Sequence, residues 1–457
     1  MSTRHRSVRR ARPSLSFGLL STLLVVLCLA GGASRPDVLG QSVVRAISAL
    51  AIIATIVFAQ RTQEDTPRAL FYLLAGIVAL PLLQLVPLPP ELWQALPGRG
   101  VFSAAVTGAQ PWRPMAIEPA AALNAAGSLI VPSAIVIVAA GVARSEWERI
   151  LAVILIIAGV SALVALLQVS GNPVGNPLVN FTSGAVSGLF ANRNHFALFL
   201  ALGCLVAPVW AVQNGDQASW RMPFAAGVML FFFLVILASG SRAGILTGFL
   251  GSVIGVALIR REIRHALRWM PRWGVMGVGV GVVAFIAVLV WLSIASDRAA
   301  SVNRVIAMTS SEDMRTRAFP VVMQMIGTYL PIGSGMGSFD ALFRLHEPFS
   351  LLKPTYFNHA HNDFVEVVLD GGIPAIALLL AALGWWVAAS LRVWRARPSS
   401  VSNPGRLGSS SLLLILIASL FDYPARTPMI MAMTALAAVW LGKSAYAVAL
   451  KSRSEAA

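Results

Sequence analysis

The feature that most constrains this chain is a series of long apolar segments separated by short basic or polar stretches. An α-helix needs about 20 apolar residues to cross the hydrocarbon core of a bilayer, and about twelve segments are candidates. The predicted spans are 15–33, 41–59, 69–88, 119–142, 148–169, 195–212, 222–239, 242–260, 273–295, 371–392, 409–422 and 427–449, of which 409–422 is the shortest. Charged residues make up 12% of the chain, against about 25% in soluble domains. We therefore predict an all-α polytopic membrane protein.

The net charge of +16 indicates membrane topology rather than a nucleic-acid surface. Basic residues are concentrated before the first span, at 260–272, at 392–406 and in the C-terminal tail. Since Lys and Arg accumulate on the cytoplasmic side of a membrane, we predict that both termini are cytoplasmic and that nucleic acid is not a partner. The first apolar segment is predicted to be a retained helix, not a cleaved signal peptide, because a second span begins almost at once.

One long polar stretch, residues 295–370, interrupts the apolar pattern and contains three of the six histidines. Counting spans from a cytoplasmic N-terminus places this stretch outside the cytoplasm, together with the Pro-, Gly- and Asn-rich segments 89–118 and 170–194. We therefore divide the chain into N-terminal membrane helices (1–294, about nine spans), one large and partly helical loop (295–370), and C-terminal membrane helices with a cytoplasmic tail (371–457, about three spans).

Three arginines at this outer side could bind an anion. Arg242 lies at a span end in the sequence ASGSRAG, whose small residues leave room for a bulky anionic group. Arg315 and Arg317 precede an amphipathic stretch of the loop, and a planar guanidinium donates bidentate hydrogen bonds to phosphate. The alternatives are an interfacial arginine that snorkels to the membrane surface and a solvated helix start.

A glycine-rich segment, Gly333–Phe339, superficially resembles a phosphate-binding loop. It lacks both the GxGxxG spacing and the strand–turn–helix context of a dinucleotide site. We predict instead a tight turn between two helices of the loop.

The histidine-rich segment His359–Asp363 is the sharpest cluster in the chain. Alternate histidines could ligate a metal, but a helix predicted to begin near Asn358 would turn His359 and His361 to different faces, and no third ligand is evident. We therefore predict no metal site. On such a helix His361 would face apolar residues, either as a core histidine or as a general base.

Acidic residues continue this segment at helical spacing. Asp363, Glu366 and Asp370 would form one stripe. The stripe could orient a histidine or bind a sugar, and a solvated helix face is the alternative.

The histidine segment, together with the residues C-terminal to it, resembles the O-antigen ligase and polymerase superfamily of bacterial inner-membrane proteins. The histidine of that family, followed by Asn, Ser or Gln, is matched by His361 and Asn362. After nine residues the family's Gly-x-x-small motif is matched by Gly372–Ala375. Ala375 departs from the more usual Gly, Thr or Tyr.

Two arginine elements carry the same resemblance. The Ser-Arg element of the family maps onto Arg242. Its second arginine, which precedes a Pro-x-Gly-x-Gly stretch, maps onto Arg317, with Arg315 as the alternative. The resemblance covers roughly residues 189–391.

The resemblance implies a GT-C-like fold and an inverting glycosyltransferase of the bacterial inner membrane that needs no metal or other cofactor. It would move a glycan from an undecaprenyl-diphosphate carrier to a hydroxyl of lipid A–core or of a growing polysaccharide, on the periplasmic side. Arg242 and Arg317 would stabilise the departing diphosphate, and His361 would accept the proton of the acceptor. The residues assigned to substrate binding are Arg193, Arg315, Asn362, Asp363 and Glu366.

Other functions stay open. A polymerase that joins lipid-linked repeat units of an exopolysaccharide or O-antigen would use similar residues. A polysaccharide transporter or flippase would need broken helices and ionisable groups near mid-membrane, whereas charges here cluster at span ends and in one loop. A non-catalytic assembly partner would tolerate the loss of Arg242 and His361.

Overall fold

The computed structural model describes residues 13–59, 68–170, 174–180, 185–213, 218–268, 314–352 and 357–456 of the chain. The helices in these ranges are α1 (Leu15–Ala30), α2 (Leu39–Phe58), α3 (Arg68–Gln84), α4 (Pro90–Ala95), α5 (Gly100–Ala104), α6 (Pro119–Ser128), α7 (Ile130–Ala140), α8 (Trp147–Val169), α9 (Arg193–Ala211), α10 (Ala218–Ser239), α11 (Arg242–Leu258), α12 (Arg260–Arg268), α13 (314–329), α14 (Phe339–His346), α15 (Asp363–Arg395), α16 (Asn403–Ser419) and α17 (Pro428–Ala456). A short ribbon pairs β1 (Pro87–Leu88) antiparallel with β2 (Arg113–Pro114).

The described helices confirm an all-α, multi-pass membrane protein. Seven described helical segments are long and apolar enough to cross a bilayer: Leu39–Phe58, Pro119–Ala140, Arg144–Val169, Arg193–Ala211, Trp220–Ser239, Asp363–Arg395 and Pro428–Glu455. Three shorter apolar helices in the same ranges are α1, α3 and α11. The predicted span at 273–295 lies outside the described residues, and the one at 409–422 lies largely within the 17-residue helix α16. The number twelve stays a prediction.

Helix α9 lies at the centre of the bundle, where every residue of His195–Ala211 is buried. Helix α11 packs closely along it through glycines. A Cβ added at Gly244 would lie 2.3 Å from the Cβ of Ala197, and one at Gly251 would lie 2.7 Å from the carbonyl oxygen of Ala201. Small residues allow such close approach of helices in membranes. The N-termini of α9 and α11 are consequently held side by side.

The connections between helices gather at opposite ends of the bundle. At one end the first turn of α2 is bonded to the segment before α9, since Gly40 N donates to the carbonyl oxygen of Leu178 at 2.9 Å. The α1–α2 turn meets the start of α17, where Met429 N donates to the carbonyl oxygen of Gly31 at 3.0 Å. At the other end Lys443 Nζ donates to the last carbonyl of α7 at 2.9 Å. We call the first of these the loop end.

Helix α15 begins later than predicted. The side chain of Asn362 accepts a hydrogen bond from Phe364 N at 3.1 Å and caps a helix that starts at Asp363. The predicted start near Asn358 is therefore wrong. His361 lies before the cap with a φ of 52°, so it does not share a helix face with the apolar residues of α15.

The glycine-rich segment forms the predicted tight turn between two loop helices, α13 and α14. Three of its glycines have positive φ, a conformation that glycine adopts without strain: Gly333, Gly335 and Gly337. The turn interlocks with a kink of α15 at Gly372, where a Cβ would lie 2.2 Å from the carbonyl oxygen of Pro331. The amide of Gly335 also donates to the carbonyl oxygen of Asp370 at 2.9 Å. The loop is thus fastened to α15.

Candidate active site

A cavity of about 740 Å³ at the loop end brings together five of the residues predicted for the site. They are Arg193, Arg242, Arg315, His361 and Asn362. The cavity lies between the N-termini of α9 and α11, the first turn of α13, the segment before α15 and the α16–α17 turn. We call it the arginine cavity, because three guanidinium side chains and, among the described residues, no carboxylate line it.

Two of these arginines are the first residue of a helix that has a side-chain cap. Arg193 begins α9, which Asn192 caps, and Arg242 begins α11, which Ser241 caps, each cap through its side-chain oxygen. The N–H groups and the dipole at a helix N-terminus favour an anion. The helix ends therefore add to the positive potential of the guanidinium groups.

His361 presents an imidazole ring to the cavity. Its Nδ1 lies 2.8 Å from Oδ1 of Asp422, and its ring packs against those of Phe357 and Tyr423 at centroid distances of 5.1 and 5.0 Å. In the tautomer with a proton on Nδ1, this nitrogen donates a hydrogen bond to the carboxylate of Asp422. Nε2 is then the nitrogen that can take a proton from a ligand. In acid–base catalysis the base usually lies close to the reacting group, and a further residue holds the base in position.

Asp422, which motif reasoning did not identify, anchors this arrangement. Its Oδ2 accepts hydrogen bonds from Asn192 Nδ2 at 3.0 Å and from Asn194 Nδ2 at 2.6 Å. Burial alone raises the pKa of this carboxyl, but the hydrogen bond with His361 and the cationic groups nearby outweigh burial. The pKa of Asp422 consequently lies well below its ordinary value, so the group is ionised at neutral pH. One signal could have found it, because an acid between two apolar segments is costly and usually functional.

Asn194 connects the helix that carries Arg242 to the same carboxylate. Its Oδ1 accepts a hydrogen bond from Ser241 Oγ at 2.8 Å, and its Nδ2 donates to Asp422. One hydrogen-bonded unit therefore positions both the cation and the candidate base. Sequence reasoning missed Asn194 because its partners come from α11 and from the α16–α17 turn, far away along the chain.

The two loop arginines point in different directions. Arg315 lines the arginine cavity, and its Nη1 lies 3.4 Å from the carbonyl oxygen of Phe421. Arg317 is exposed, and its Nη2 donates to the carbonyl oxygen of Ser350 at 3.0 Å. Residues two apart on a helix lie on different faces. The structure thus brings Arg315, and not Arg317, together with Arg242 and His361.

The acidic stripe of α15 does not line the arginine cavity. Asp363, Glu366 and Asp370 are buried, being 6%, 0% and 0% exposed, so the alternative of a solvated face is wrong. Arg426 forms ion pairs with all three: its Nη2 lies 3.1 Å from both Glu366 Oε1 and Asp370 Oδ2, and its Nε lies 3.9 Å from Asp363 Oδ1. The structure gives no support to substrate binding by Asp363 and Glu366.

The two clustered histidines engage different carboxylates. His359 Nδ1 lies 2.8 Å from Glu366 Oε1, and its ring packs at a tilt against that of Tyr423, at a centroid distance of 4.1 Å. His361 is held by Asp422 instead. His359 and His361 therefore do not converge on one point, and His359 links the acidic cluster to Tyr423.

Removing the cation of the acidic cluster should destabilise the fold. Burial alone lowers the pKa of Arg426, but the three carboxylates raise it above its ordinary value. We expect Arg426→Met to lower the free energy of unfolding by about 3–5 kcal/mol, because buried charges would be left uncompensated. Denaturant titration of the detergent-solubilised protein measures the change.

The matched control is Arg344→Ala. Arg344 Nε donates to Asp340 Oδ1 at 3.0 Å in an exposed pair on α14, and such pairs contribute less than about 1 kcal/mol. An equal loss of stability in the two variants would contradict the assignment of Arg426 as the structural cation.

One known family matches the part of the chain that contains most of this site. Residues 227–380 match the family described as O-antigen ligase. The match includes Arg242, Arg315, His361 and Asn362, whereas Arg193 and Asp422 lie outside it. No curated protein matches the chain.

Proposed function

We propose that this chain, a member of the O-antigen ligase and polymerase superfamily, is a glycosyltransferase that moves a glycan from an undecaprenyl-diphosphate carrier to an acceptor hydroxyl. The family indicates activity of the O-antigen ligase or polymerase type. The observation that carries the finer proposal is the convergence of Arg193, Arg242, Arg315 and His361 on one cavity. The fixed cations could bind a diphosphate leaving group, and the imidazole could accept the proton of the acceptor hydroxyl.

The proposed reaction is a single displacement at the anomeric carbon. His361 Nε2 takes the proton of the acceptor hydroxyl while its oxygen forms a bond to the anomeric carbon. The bond from that carbon to the phosphate oxygen breaks, and its electron pair stays with the diphosphate. Attack from the face opposite the leaving group inverts the anomeric configuration, through an oxocarbenium-like transition state.

Arg242 and Arg315 stabilise the negative charge that grows on the diphosphate. Guanidinium groups donate paired hydrogen bonds to phosphate oxygens, and fixed cations aimed at developing charge are often the largest catalytic contribution. Asp422 keeps the imidazole of His361 in its reactive orientation and balances the positive charge that the ring gains. Arg193 extends the cationic wall.

The carrier chain has an apolar surface beside these cations. Four apolar residues that line the arginine cavity are about half exposed: Leu246, Phe319, Leu420 and Phe421. We infer that the first isoprene units contact them, since burial of apolar surface contributes about 25 cal/mol per Å².

The reaction is proposed to take place on the periplasmic side of the inner membrane. The basic helix α12 adjoins the end of α11 that is remote from the arginine cavity, and Arg392 and Arg395 lie in the last turn of α15, also remote from the cavity. Basic residues mark the cytoplasmic side. The loop end would then be periplasmic and both termini cytoplasmic.

Complementation of a deletion strain tests the function and separates its two forms. We expect the wild-type gene to restore long glycan chains and Arg242→Ala to fail, because the leaving group loses a fixed cation. Loss of long chains from lipid A–core on gels identifies a ligase, whereas single-repeat products identify a polymerase of O-antigen or exopolysaccharide. Full complementation by Arg242→Ala at normal protein level would contradict the proposal.

A further inference from the structure

A second cavity, of about 400 Å³, adjoins the arginine cavity at Arg193, which lines both. The polar residues of this second cavity that matter here are Ser34, Asn180, Asn192, Asn358 and Tyr423. We call it the amide cavity. Its volume falls within the range of about 300–1,000 Å³ that is typical of small-molecule sites.

The two cavities differ in charge. Arg35 also lines the amide cavity, but its Nε donates to Asp37 Oδ1 at 2.9 Å, so this guanidinium is neutralised by a carboxylate. Amide and hydroxyl groups make up most of the remaining polar lining. Such groups both donate and accept hydrogen bonds, as sugar hydroxyls do, whereas the arginine cavity presents three guanidinium groups, which are positively charged and only donate.

The wall of the amide cavity is held rigidly beside the candidate base. Asn192 Nδ2 donates to Asp422 Oδ2 at 3.0 Å, and the ring of Tyr423 packs against those of His359 and His361 at centroid distances of 4.1 and 5.0 Å. His195, in the same wall, lies 2.7 Å through Nδ1 from Thr427 Oγ1. A ligand in the amide cavity would therefore meet groups that are already ordered, which limits the entropic cost of binding.

We propose that the amide cavity binds uncharged sugar residues of a substrate glycan while the arginine cavity holds the diphosphate. This proposal rests on the proposed function. Sugar hydroxyls occur on both the lipid-linked donor and the acceptor. Either glycan could therefore occupy the cavity, and the experiment must distinguish the donor from the acceptor. Arg193 would contact the diphosphate on one side and the sugar on the other.

Binding to the full-length protein in lipid nanodiscs tests the assignment with three probes. They are undecaprenyl diphosphate alone, the same carrier bearing one repeat unit, and an oligosaccharide released from the polysaccharide of the host. Ala185→Trp fills the amide cavity and Asn180→Ala removes one amide, whereas Thr107→Trp introduces the same indole side chain at an exposed residue outside both cavities. We expect Ala185→Trp to lower the affinity for a glycan-bearing probe by tenfold or more (about 1.4 kcal/mol). The affinity for undecaprenyl diphosphate should stay unchanged.

The outcomes test the amide-cavity proposal and the proposed function separately. Selective weakening of the carrier with its repeat unit identifies donor sugars, and selective weakening of the free oligosaccharide identifies the acceptor. Unchanged binding of both glycans to Ala185→Trp and Asn180→Ala, with normal binding of undecaprenyl diphosphate, overturns the amide-cavity proposal alone. Failure of undecaprenyl diphosphate to bind the wild type overturns the proposed function. If Ala185→Trp also loses undecaprenyl diphosphate, the milder Asn180→Ala decides.

Discussion

Replacing His361 with alanine is expected to slow glycan transfer by about 10²–10⁴-fold, the usual contribution of general acid–base catalysis. The ring lines the arginine cavity, and Asp422 holds its Nδ1 at 2.8 Å. Without the imidazole, the acceptor hydroxyl has no base among the described lining residues of that cavity. Initial rates with a lipid-linked donor and an acceptor, measured on purified protein in nanodiscs, give the change.

His346 provides the matched control for this loss. It belongs to the same loop, but its Nδ1 lies 2.9 Å from the carbonyl oxygen of Leu342 and its ring packs on Tyr329, away from the arginine cavity. We expect His346→Ala to retain transfer within a few-fold of wild type, because no proposed step uses this side chain. Equal rates for His361→Ala and wild type would exclude the proposed base.

The second large effect separates two arginines that are neighbours along the chain. We expect Arg315→Ala to reduce the rate constant for transfer by about 10²–10³-fold, as the loss of one preorganised group at a developing charge does in other enzymes. Arg317→Ala should change it little, because Arg317 is exposed and bonded to Ser350. The two variants remove the same charge from the same helix, so a general loss of positive potential cannot explain a difference between them.

The readout for this pair is kcat, together with membrane level. A large loss of kcat in Arg317→Ala, with a kcat near that of the wild type in Arg315→Ala, would contradict this prediction. It would support Arg317 as the second arginine, as the sequence motif indicated. Similar losses in both would indicate that the loop acts through its overall charge.

Local patterns predicted the parts of the site that lie within recognisable segments. Long apolar runs predicted the membrane helices, and motif spacing predicted His361, Asn362 and Arg242, which the arginine cavity brings together. Which of Arg315 and Arg317 faces the cavity depends on the rotation of α13 about its own axis. A helix rotates by about 100° per residue, so only the packed orientation of that helix could select one of them.

The residues that sequence reasoning missed act through contacts between distant segments. Asp422, Asn194 and Arg426 lie in short polar stretches beside apolar segments, and none belongs to a motif that the sequence analysis used. Their partners lie in other helices: His361 for Asp422, Ser241 for Asn194, and the acidic stripe of α15 for Arg426. Pairings of this kind arise from the packing of the bundle, which spacing along one segment does not specify.

The close fit between the glycine turn and the kink of α15 bears on how this protein could be recombined with relatives. A Cβ at Gly372 would lie 2.2 Å from the carbonyl oxygen of Pro331, and one at Gly333 would lie 2.6 Å from that of Asp370. Neither backbone can therefore accommodate a methyl group from the other side. A chimera that takes its large loop from one parent and its last membrane helices from another must therefore keep glycine at both positions. A crossover that places any other residue at 333 or 372 is expected to yield protein that fails to assemble.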